Sequence, residues 1–392
     1  MGAVILSACR TPIGSFGGAL KDLSASHLGS IVIREAVARA HVDADDIDDV
    51  LMGCVLQAGA GMNVARQAAL GAGLPPTVPG ETVNRVCGSG LATVMHAADA
   101  IAAGSARVVV AGGTESMSNA PYLLKGARWG YRMGHAEAID VMVGEGLTCA
   151  IEGCHMGATA EAVAARYGLT RATQDAFSAE SQRRAGAALD AAWYRDEIVP
   201  VVLPQKKGEA VVVSRDEYPR PGTTVEKLGA LKPAFQKDGT VTAGNASGIN
   251  DGAAALVIAD AGAVPGDCTP LARVLAYATA GVEPMFMGMG PVPAVRAAVA
   301  KAGLALPAID LFELNEAFAA QALAVIADLG IDPAKVNVGG GAIALGHPIG
   351  ASGARVLVTL IHHLRRTGAR YGVASLCVGG GMGVAVVVER ME

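Results

Sequence analysis

The feature that most constrains the fold is an order of small-residue turns and apolar segments that occurs twice in the chain. Each half holds a turn with Ser-Gly that opens a helical segment, Gly88-Ser89-Gly90 in one half and Ala351-Ser352-Gly353 in the other. An apolar strand follows each helix and ends in a glycine pair, Gly112-Gly113 or Gly379-Gly380. Strands alternating with helices indicate an α/β fold with a mostly parallel sheet covered on both faces. The repetition predicts a duplicated fold whose reactive turns meet between the halves.

Apolar periodicity places the individual elements of the two halves. Strands are expected at residues 4–8, 50–53, 81–86, 107–111, 271–276, 311–314, 336–338, 374–377 and 384–389. Helices are expected at residues 28–40, 63–70, 91–103, 292–302, 318–329 and 355–366. We expect the strand over 107–111 to stop at its glycine pair.

The middle of the chain differs in composition from the two halves. It holds both tryptophans, several prolines and polar helices such as the one expected over residues 173–192. We interpret residues 115–249 as an inserted, loop-rich domain. The N-terminal core half then covers residues 1–114 and is completed by about 250–265, and the C-terminal half covers residues 266–392.

Composition excludes several functional classes. A hydrophobic content of 52% is ample for a large core, and a net charge of −5 argues against a nucleic-acid partner. The seven cysteines are odd in number and scattered, which favours a reducing compartment over a disulfide framework. The N-terminus lacks a basic export segment, and glycines break the long uncharged stretches, so we predict a cytoplasmic protein with no membrane partner.

A metal centre is the first functional alternative. Cys149, Cys154 and His155 lie near one another in sequence, but their spacing matches no common zinc pattern. We therefore predict no metal site.

Cys87 is the candidate nucleophile, since its glycine-flanked turn precedes a helix whose N-terminus favours a thiolate. Most free cysteines are instead small buried hydrophobes. The functional interpretation gains weight from His347 and Cys377, each of which lies between glycine turns near the other end of the chain. Two thiols and an imidazole in such turns form a constellation suited to nucleophilic catalysis.

These side chains favour acyl transfer. His347 can take the proton of Cys87 at neutral pH, and Cys377 is a thiol with an ordinary pKa near 8.5 that can move a proton at carbon. Asn315 ends a predicted strand and could serve an oxyanion, although asparagine is also a common turn residue. Hydride and phosphoryl transfer are disfavoured, because neither a dinucleotide-binding glycine motif nor a Walker motif is present.

A basic segment within the insert offers a second hypothesis about binding. Residues 206–237 hold seven Lys and Arg residues, Arg220 among them, against four acids. The segment is either a solvated face or an anion site for a phosphorylated ligand. After it, the small residues of 242–252 could admit a slender ligand against the backbone, or simply form turns.

The chain resembles the thiolases from end to end. The motifs that carry the resemblance are Asn84-Arg85-Val86-Cys87-Gly88-Ser89-Gly90, the segment 112–118 (GGTESMS), Asn315-Glu316-Ala317-Phe318, Gly346-His347-Pro348 and the segment 377–381 (CVGGG). The resemblance implies a duplicated five-layer α-β-α-β-α core with an inserted coenzyme A-binding loop domain. It also implies a homotetramer built as a dimer of dimers, small acyl-CoA molecules as the partners, and no required cofactor, with coenzyme A and acetyl-CoA acting as substrates.

Family roles carry over position by position. Cys87 would be acylated, His347 would activate it, and Cys377 would move the proton at the α-carbon of acetyl-CoA. Asn315 would hold the water of one oxyanion hole, and the backbone N–H groups of Cys87 and Gly379 would form the other. The positions that match coenzyme A contacts are Leu147, His155, Met156, Arg220, Ala243, Ser247, Met287, Ala317 and Phe318, with Arg220 nearest the phosphates.

Acyl chain length is the finer question. The segment 154–161 (CHMGATAE), with His155, is similar to short-chain acetoacetyl-CoA thiolases, which implies acetyl-CoA C-acetyltransferase activity. The methionine-rich segment 285–290 leaves open a broader 3-ketoacyl-CoA thiolase of fatty-acid β-oxidation. A non-catalytic CoA-binding or lipid-binding protein is the alternative from another class, but it would require a missing catalytic residue.

The oligomeric contact is predicted at residues 121–140, where Trp129, Tyr131 and Met133 lie among arginines. This segment could instead cover the core of the insert. The resemblance implies that it joins two tight dimers.

Overall fold

The computed structural model describes residues 2–391. The first half contains β1 (Ala3–Arg10), β2 (Gly14–Ser15), α1 (Ala25–Ala40), β3 (Asp49–Gly53), α2 (Val64–Ala72), β4 (Glu81–Val83), α3 (Ser89–Ala102) and β5 (Val108–Ser116). The middle segment contains β6 (Tyr122–Leu123), β7 (Ile139–Asp140), β8 (Thr148–Cys149), β9 (Cys154–His155), α4 (Met156–Tyr167), α5 (Arg171–Asp190), β10 (Val201–Leu203), β11 (Val211–Val213) and α6 (Val225–Gly229). The remainder contains β12 (Asn250–Asp260), β13 (Ala272–Gly281), α7 (Pro291–Lys301), β14 (Leu311–Leu314), α8 (Ala319–Leu329), α9 (Ala342–Leu345), α10 (Ile349–Thr367), β15 (Tyr371–Val378) and β16 (Met382–Arg390).

The main sheet has the strand order β14-β15-β16-β13-β1-β12-β5-β3-β4, so its two halves repeat one topology. In the first half, β1 lies beside β12, followed by β5 and β3. In the second half, β13 lies beside β16, followed by β15 and β14. The halves join where β1 pairs with β13 through Val4 opposite Arg273 and Ile5 opposite Ala272. This equivalence is the duplication that the sequence predicts.

The expectation of a mostly parallel sheet was wrong, because the sheet is mixed. Strand β3 is parallel to β4 and β5, and β14 is parallel to β15. Strand β12 is antiparallel to both β1 and β5, and β16 is antiparallel to β13 and β15. Only residues 379–381 separate β15 from β16, and so short a turn can join only antiparallel strands.

Alternating side chains of the strands face different cores, which produces five layers. Val109 and Ala111 of β5 belong to a central core that also contains α3 and α10. Their neighbours Val108 and Val110 belong to an outer core with α1 and α2. A third core places α7 and α8 on the outer side of the second half. The helix pair α3 and α10 is therefore enclosed between the two half-sheets.

Helix starts follow the capping residues of the sequence. Ser24 accepts a hydrogen bond from the backbone N–H of His27 at 3.1 Å and caps α1, and Asn63 accepts one from Arg66 at 3.0 Å and caps α2. Apolar residues of α1 at helical spacing, including Leu28 and Val32, are buried against the sheet.

Several element bounds differ from the expectations; for example, β4 ends at Val83 rather than at residue 86, and β13 extends to Gly281 rather than to residue 276. Strand β5 does not stop at its glycine pair but continues to Ser116, because residues 112–116 remain paired with β12. A Cβ at Gly113 would lie 2.2 Å from the carbonyl oxygen of Gly350. The pair therefore marks close packing against the start of α10. That helix starts at Ile349, earlier than expected, while residues 336–338 form only an isolated bridge between Val336 and Phe312.

Among residues 2–391, no helix is both long enough and apolar enough to cross a membrane.

Candidate active site

The turn that carries Cys87 lies between β4 and α3. Val86 adopts a φ of 45°, which is unusual for a β-branched residue. Its N–H donates to Asn84 Oδ1 at 3.0 Å, and its carbonyl oxygen accepts from Ser89 Oγ at 2.6 Å. These bonds hold the strained turn and place Cys87 just before the N-terminus of α3.

The Cys87 thiol is less acidic than the sequence suggests. Burial raises its pKa to about 11, although hydrogen bonds from the backbone N–H groups of Gly379 and of Cys87 itself oppose the rise. The expectation of a favoured thiolate at the helix N-terminus was therefore wrong for the unliganded protein, because desolvation outweighs the helix terminus. A nucleophile at this position would need a base to accept its proton.

His347 lies between α9 and α10, and its backbone N–H donates to Asn250 Oδ1 at 2.9 Å. Its Nδ1 lies 2.5 Å from Ser352 Oγ, and that hydroxyl donates to the carbonyl oxygen of Pro348 at 2.9 Å. Nε2 has no hydrogen-bond partner within the described residues. Burial lowers the pKa of His347 to about 3, with a further contribution from the positive charge of Arg355. The imidazole is therefore neutral at neutral pH.

Cys377 and Gly379 lie at the end of β15 and in the turn that follows. Cys377 is fully buried, and burial raises its pKa well above the ordinary range, with a second contribution from the charge of Cys87. The ordinary thiol pKa expected from the sequence was therefore wrong. Gly379 packs against the strained turn, since a Cβ there would lie 3.2 Å from Val86 Cγ1.

Asn315 directly follows β14, and its N–H donates to the carbonyl oxygen of Ser375 at 3.0 Å. Its Nδ2 lies 3.5 Å from His347 Nδ1. Its buried Oδ1 has no partner within residues 2–391. The fold thus brings Asn315 beside His347.

A cavity of about 460 Å³ opens onto Cys87 and His347. All nine positions predicted to contact coenzyme A line it: Leu147, His155, Met156, Arg220, Ala243, Ser247, Met287, Ala317 and Phe318. Cys377, Asn315 and Gly379 do not line its wall but lie behind it.

Several residues that line this cavity were not predicted from the sequence, notably Tyr218 and Phe235. The Phe235 ring stacks on His155 with centroids 4.8 Å apart, and Phe318 meets it edge-on at 6.1 Å. The available signal was the presence of aromatic residues within the basic segment 206–237. Of the basic residues in that segment, only Arg220 lines the cavity, and its guanidinium lies 5.1 Å from the centre of the Tyr218 ring.

A smaller cavity of about 180 Å³ adjoins the first and shares Tyr218, Arg220 and Ala243 with it. Lys227 adds a second positive charge to its wall. The pair of cations makes this end of the combined space suited to an anionic group.

No group of three or more His, Cys, Asp or Glu side chains among residues 2–391 is arranged to hold a metal ion. His155 Nδ1 instead accepts from the N–H of Gly157 at 3.0 Å.

Comparison with known proteins places this geometry in a family. The family model described as "Thiolase, N-terminal domain" matches residues 3–262, and "Thiolase, C-terminal domain" matches residues 268–390. The chain belongs to the thiolase family. This membership confirms the resemblance predicted from the motifs.

Relatives of this thiolase match it over its whole length. Acetyl-CoA acetyltransferase of Escherichia coli (strain K12) is 57% identical over 391 residues, covering 99% of each chain. The protein of the same name from Cupriavidus necator is 55% identical over 388 residues, again covering 99% of each.

Solved structures confirm the thiolase fold. The crystal structure of the Bacillus anthracis acetyl-CoA acetyltransferase matches with a TM-score of 0.97 and 48% identity, covering 100% of this thiolase and 99% of that chain. Human mitochondrial 3-ketoacyl-CoA thiolase matches with a TM-score of 0.97 and 44% identity at the same coverage. The thiolase domains and these relatives identify the chain as an acyltransferase.

Proposed function

We propose that this thiolase is an acetyl-CoA C-acetyltransferase, which condenses two acetyl-CoA molecules to acetoacetyl-CoA and CoA and catalyses the reverse thiolysis. The observation that carries the proposal is that Cys87 and His347 share one cavity with all nine predicted coenzyme A positions. The relatives named acetyl-CoA acetyltransferase at 52–57% identity support the same activity.

The first half-reaction transfers an acetyl group to Cys87. The Ser352 hydroxyl donates to Pro348, so His347 Nδ1 keeps its proton toward Ser352, and the unpartnered Nε2 accepts the proton of Cys87. The Cys87 sulfur attacks the thioester carbon, and the N–H groups of Cys87 and Gly379 stabilise the oxyanion. The CoA sulfur leaves with the proton of Cys377.

The second half-reaction forms the carbon–carbon bond. The Cys377 thiolate removes a proton from the methyl group of a second acetyl-CoA, and the enolate attacks acetyl-Cys87. His347 and a water held by Asn315 stabilise the enolate oxygen, after which the Cys87 sulfur leaves and recovers its proton from His347. Both thiols and the neutral imidazole are thereby regenerated.

The pKa shifts suit this cycle. The raised pKa of Cys377 makes its thiolate a strong base toward a carbon acid, and the lowered pKa of His347 makes the imidazolium a strong donor to the enolate oxygen. Each charge alone is disfavoured by burial, but forming the two together lets them stabilise each other.

Mass spectrometry after treatment with acetoacetyl-CoA tests the assignment of the nucleophile. We expect an acetyl group on Cys87 in the wild type. In the Cys87→Ser variant we expect no acyl-enzyme and nearly unchanged CoA affinity. An adduct mapped to Cys377 would require the two cysteine roles to be exchanged.

A broader 3-ketoacyl-CoA thiolase is the second candidate, favoured by the flexible Met287 side chain in the cavity wall. Short acyl groups are favoured by three rings that narrow the cavity, the stacked His155 and Phe235 and the perpendicular Phe318. A series of 3-ketoacyl-CoA substrates separates the two, since kcat/KM that rises steadily beyond four carbons would overturn the short-chain assignment.

The remaining expectations about cofactors and location belong to the same proposal. The described chemistry needs no metal or redox cofactor, so full activity after exhaustive chelation is expected. A cytoplasmic location is supported by the free thiols, which suit a reducing compartment. A role in fatty-acid metabolism is proposed from the acyl-CoA substrates. A carrier or binding protein without activity is disfavoured, because Cys87, His347 and Cys377 are all present.

A homotetramer is proposed from the ribbon formed by β6, β7 and the residues between them. Trp129 is 87% exposed and Met133 is 99% exposed in the single chain, and Tyr122 is also exposed. Large apolar side chains grouped in this way are seldom left open to water. The ribbon therefore suits the contact between two dimers.

A further inference from the structure

The hairpin of β8 and β9 places two cysteines opposite each other. Cys149 and Cys154 are direct partners in its antiparallel ladder, next to the pair Thr148 and His155. Directly opposed residues have Cα atoms about 4.5–5.5 Å apart. Disulfides span Cα separations of about 4.4–6.8 Å, so this Cα separation lies within the range that a disulfide can bridge. Burial, and then the neighbouring Cys149 and Glu152, raise the pKa of the Cys154 thiol.

The proposed catalytic cycle uses neither thiol. A metal role is disfavoured because the nearest third ligand, His155, is already engaged with Gly157 and stacked on Phe235. Cys149 is buried, and its sulfur accepts from the N–H of Glu152 at 3.5 Å. Cys154 is partly exposed at a hairpin tip whose Ile151 is exposed, so an oxidant can reach it first.

We propose that Cys149 and Cys154 form a modification site at which oxidation produces a reversible disulfide that alters the acyl-CoA site; the second part rests on the proposed function. With hydrogen peroxide as oxidant, the Cys154 thiol is oxidised through its thiolate to a sulfenic acid, and the peroxide is reduced to one water. The Cys149 thiol then attacks that sulfur, and a second water leaves as the S–S bond forms. Two thiols thus lose two electrons and two protons. A dithiol such as dithiothreitol reverses the reaction.

The hairpin is connected to the site at two places. Leu147, His155 and Met156 flank the two cysteines and line the cavity. The hairpin also touches the turn that carries the proposed oxyanion N–H, because a Cβ at Gly379 would lie 3.7 Å from Met156 Sδ, and one at Gly380 would lie 3.8 Å from Ile151 Cδ1.

The bond is expected to weaken substrate use. It would draw the sulfurs to about 2.05 Å, closer than two thiols can approach, and so change the twist of the hairpin. The shift would displace the cavity wall and the turn at Gly379. We expect a severalfold fall in kcat/KM for acetoacetyl-CoA and a rise in the dissociation constant of CoA, both reversed by dithiothreitol.

Peptide mapping after peroxide treatment tests the modification site without relying on activity. Trypsin releases residues 133–166 as one peptide whose only cysteines are Cys149 and Cys154. We expect this peptide to resist alkylation and to be lighter by two hydrogen atoms. Cleavage after glutamate should leave fragments 146–152 and 153–161 joined until they are reduced. A peptide that is still alkylated at both cysteines would overturn the proposal.

Matched variants separate this effect from oxidation of Cys87. Cys154→Ser and Cys149→Ser should lack the reversible loss, whereas Cys268→Ser, which removes another partly exposed thiol away from the cavity, should behave as the wild type. Any loss through Cys87 should be equal in all variants. A disulfide that forms without changing kcat/KM or CoA affinity would overturn the link to the site. A disulfide in a chain without acetyltransferase activity would instead refute only the proposed function.

Discussion

At the residue scale, the reactive groups of the unliganded site are uncharged. Burial raises the pKa of Cys87 to about 11 and lowers that of His347 to about 3, so thiol and imidazole coexist at neutral pH. The hydrogen bond from Gly379 to the Cys87 sulfur is not enough to reverse the desolvation. In the proposed cycle Cys87 is activated when its proton passes to His347, and we expect the resting thiol to react slowly with alkylating agents.

Alkylation of Cys87 by iodoacetamide should consequently depend steeply on pH. The thiolate fraction rises about tenfold per pH unit below the pKa, so the rate should keep rising from pH 7 to pH 10 and level off only near pH 11. The measurement is the rate of modification of the Cys87-containing peptide by mass spectrometry, with Cys87→Ser as the background. A plateau already reached near pH 8 would contradict the raised pKa.

At the element scale, α3 and α10 meet through equivalent glycines of the two repeated turns. A Cβ at Gly90 would lie 2.7 Å from the backbone nitrogen of Ala354, and one at Gly353 would lie 2.2 Å from the backbone nitrogen of Leu91. Backbone atoms cannot yield as flexible side chains do. Gly90 and Gly353, the last residues of the two equivalent turns, are therefore glycine because α3 and α10 come into contact there.

Gly353→Ala should destabilise the protein by about 1–3 kcal/mol or more, since overpacking outweighs the helix propensity of alanine. The matched control is Gly186→Ala in α5, where a Cβ would meet nothing within 4 Å. The free energy of unfolding of this control should be unchanged or higher by up to about 1 kcal/mol. Urea unfolding at fixed protein concentration compares the two, and equal midpoints would refute the close contact.

At the scale of the whole molecule, a buried ion cluster fastens the insert to the core. Arg10 of β1 donates to Glu197 Oε1 at 2.5 Å and to the two carboxylate oxygens of Asp216 at 2.6 and 2.9 Å. All three residues are buried. Burial alone would raise the pKa of Glu197, but the charge and hydrogen bond of Arg10, together with the nearby His362 and His363, hold the pKa below its ordinary value.

Arg10→Met should lower the free energy of unfolding by about 3–5 kcal/mol at neutral pH, because it leaves two buried carboxylates without a positive charge beside them. The depressed pKa of Glu197 contributes stability above its unfolded value of about 4.3, and this contribution is lost as the pH falls through the folded pKa. The difference in the free energy of unfolding between the wild type and Arg10→Met, measured by urea unfolding, should therefore narrow below about pH 4. Arg183→Met, which breaks an exposed pair with Glu180, is the control and should change little at either pH.

Deleting residues 123–138 should convert tetramers into dimers that still acylate Cys87, because the ribbon lies outside the two half-cores that hold the reactive turns. Light scattering measures the assembly, and mass spectrometry measures the acetyl group. A wild-type monomer at micromolar concentration would refute the tetramer, and a deletion variant that remains tetrameric would refute the role of the ribbon.

The duplicated α/β architecture and the local placement of the candidate site residues could be predicted from the amino-acid pattern alone. Apolar runs and glycine turns specify strands and bends through neighbouring residues, so most elements could be predicted. The motifs around Cys87, Asn315, His347 and Cys377 indicated the family. The nine coenzyme A positions were carried over from it, and all of them line one cavity.

The contacts between these segments could not be predicted in this way, because they form only in the folded chain. The mixed strand directions, the continuation of β5 through its glycine pair, and the facing of Cys149 and Cys154 depend on which distant segments become neighbours. The pKa values of Cys87 and Cys377 were mispredicted for the same reason, since desolvation is a property of the folded surroundings. Local sequence carries backbone preferences, whereas burial and contact between remote residues arise only when the chain has packed.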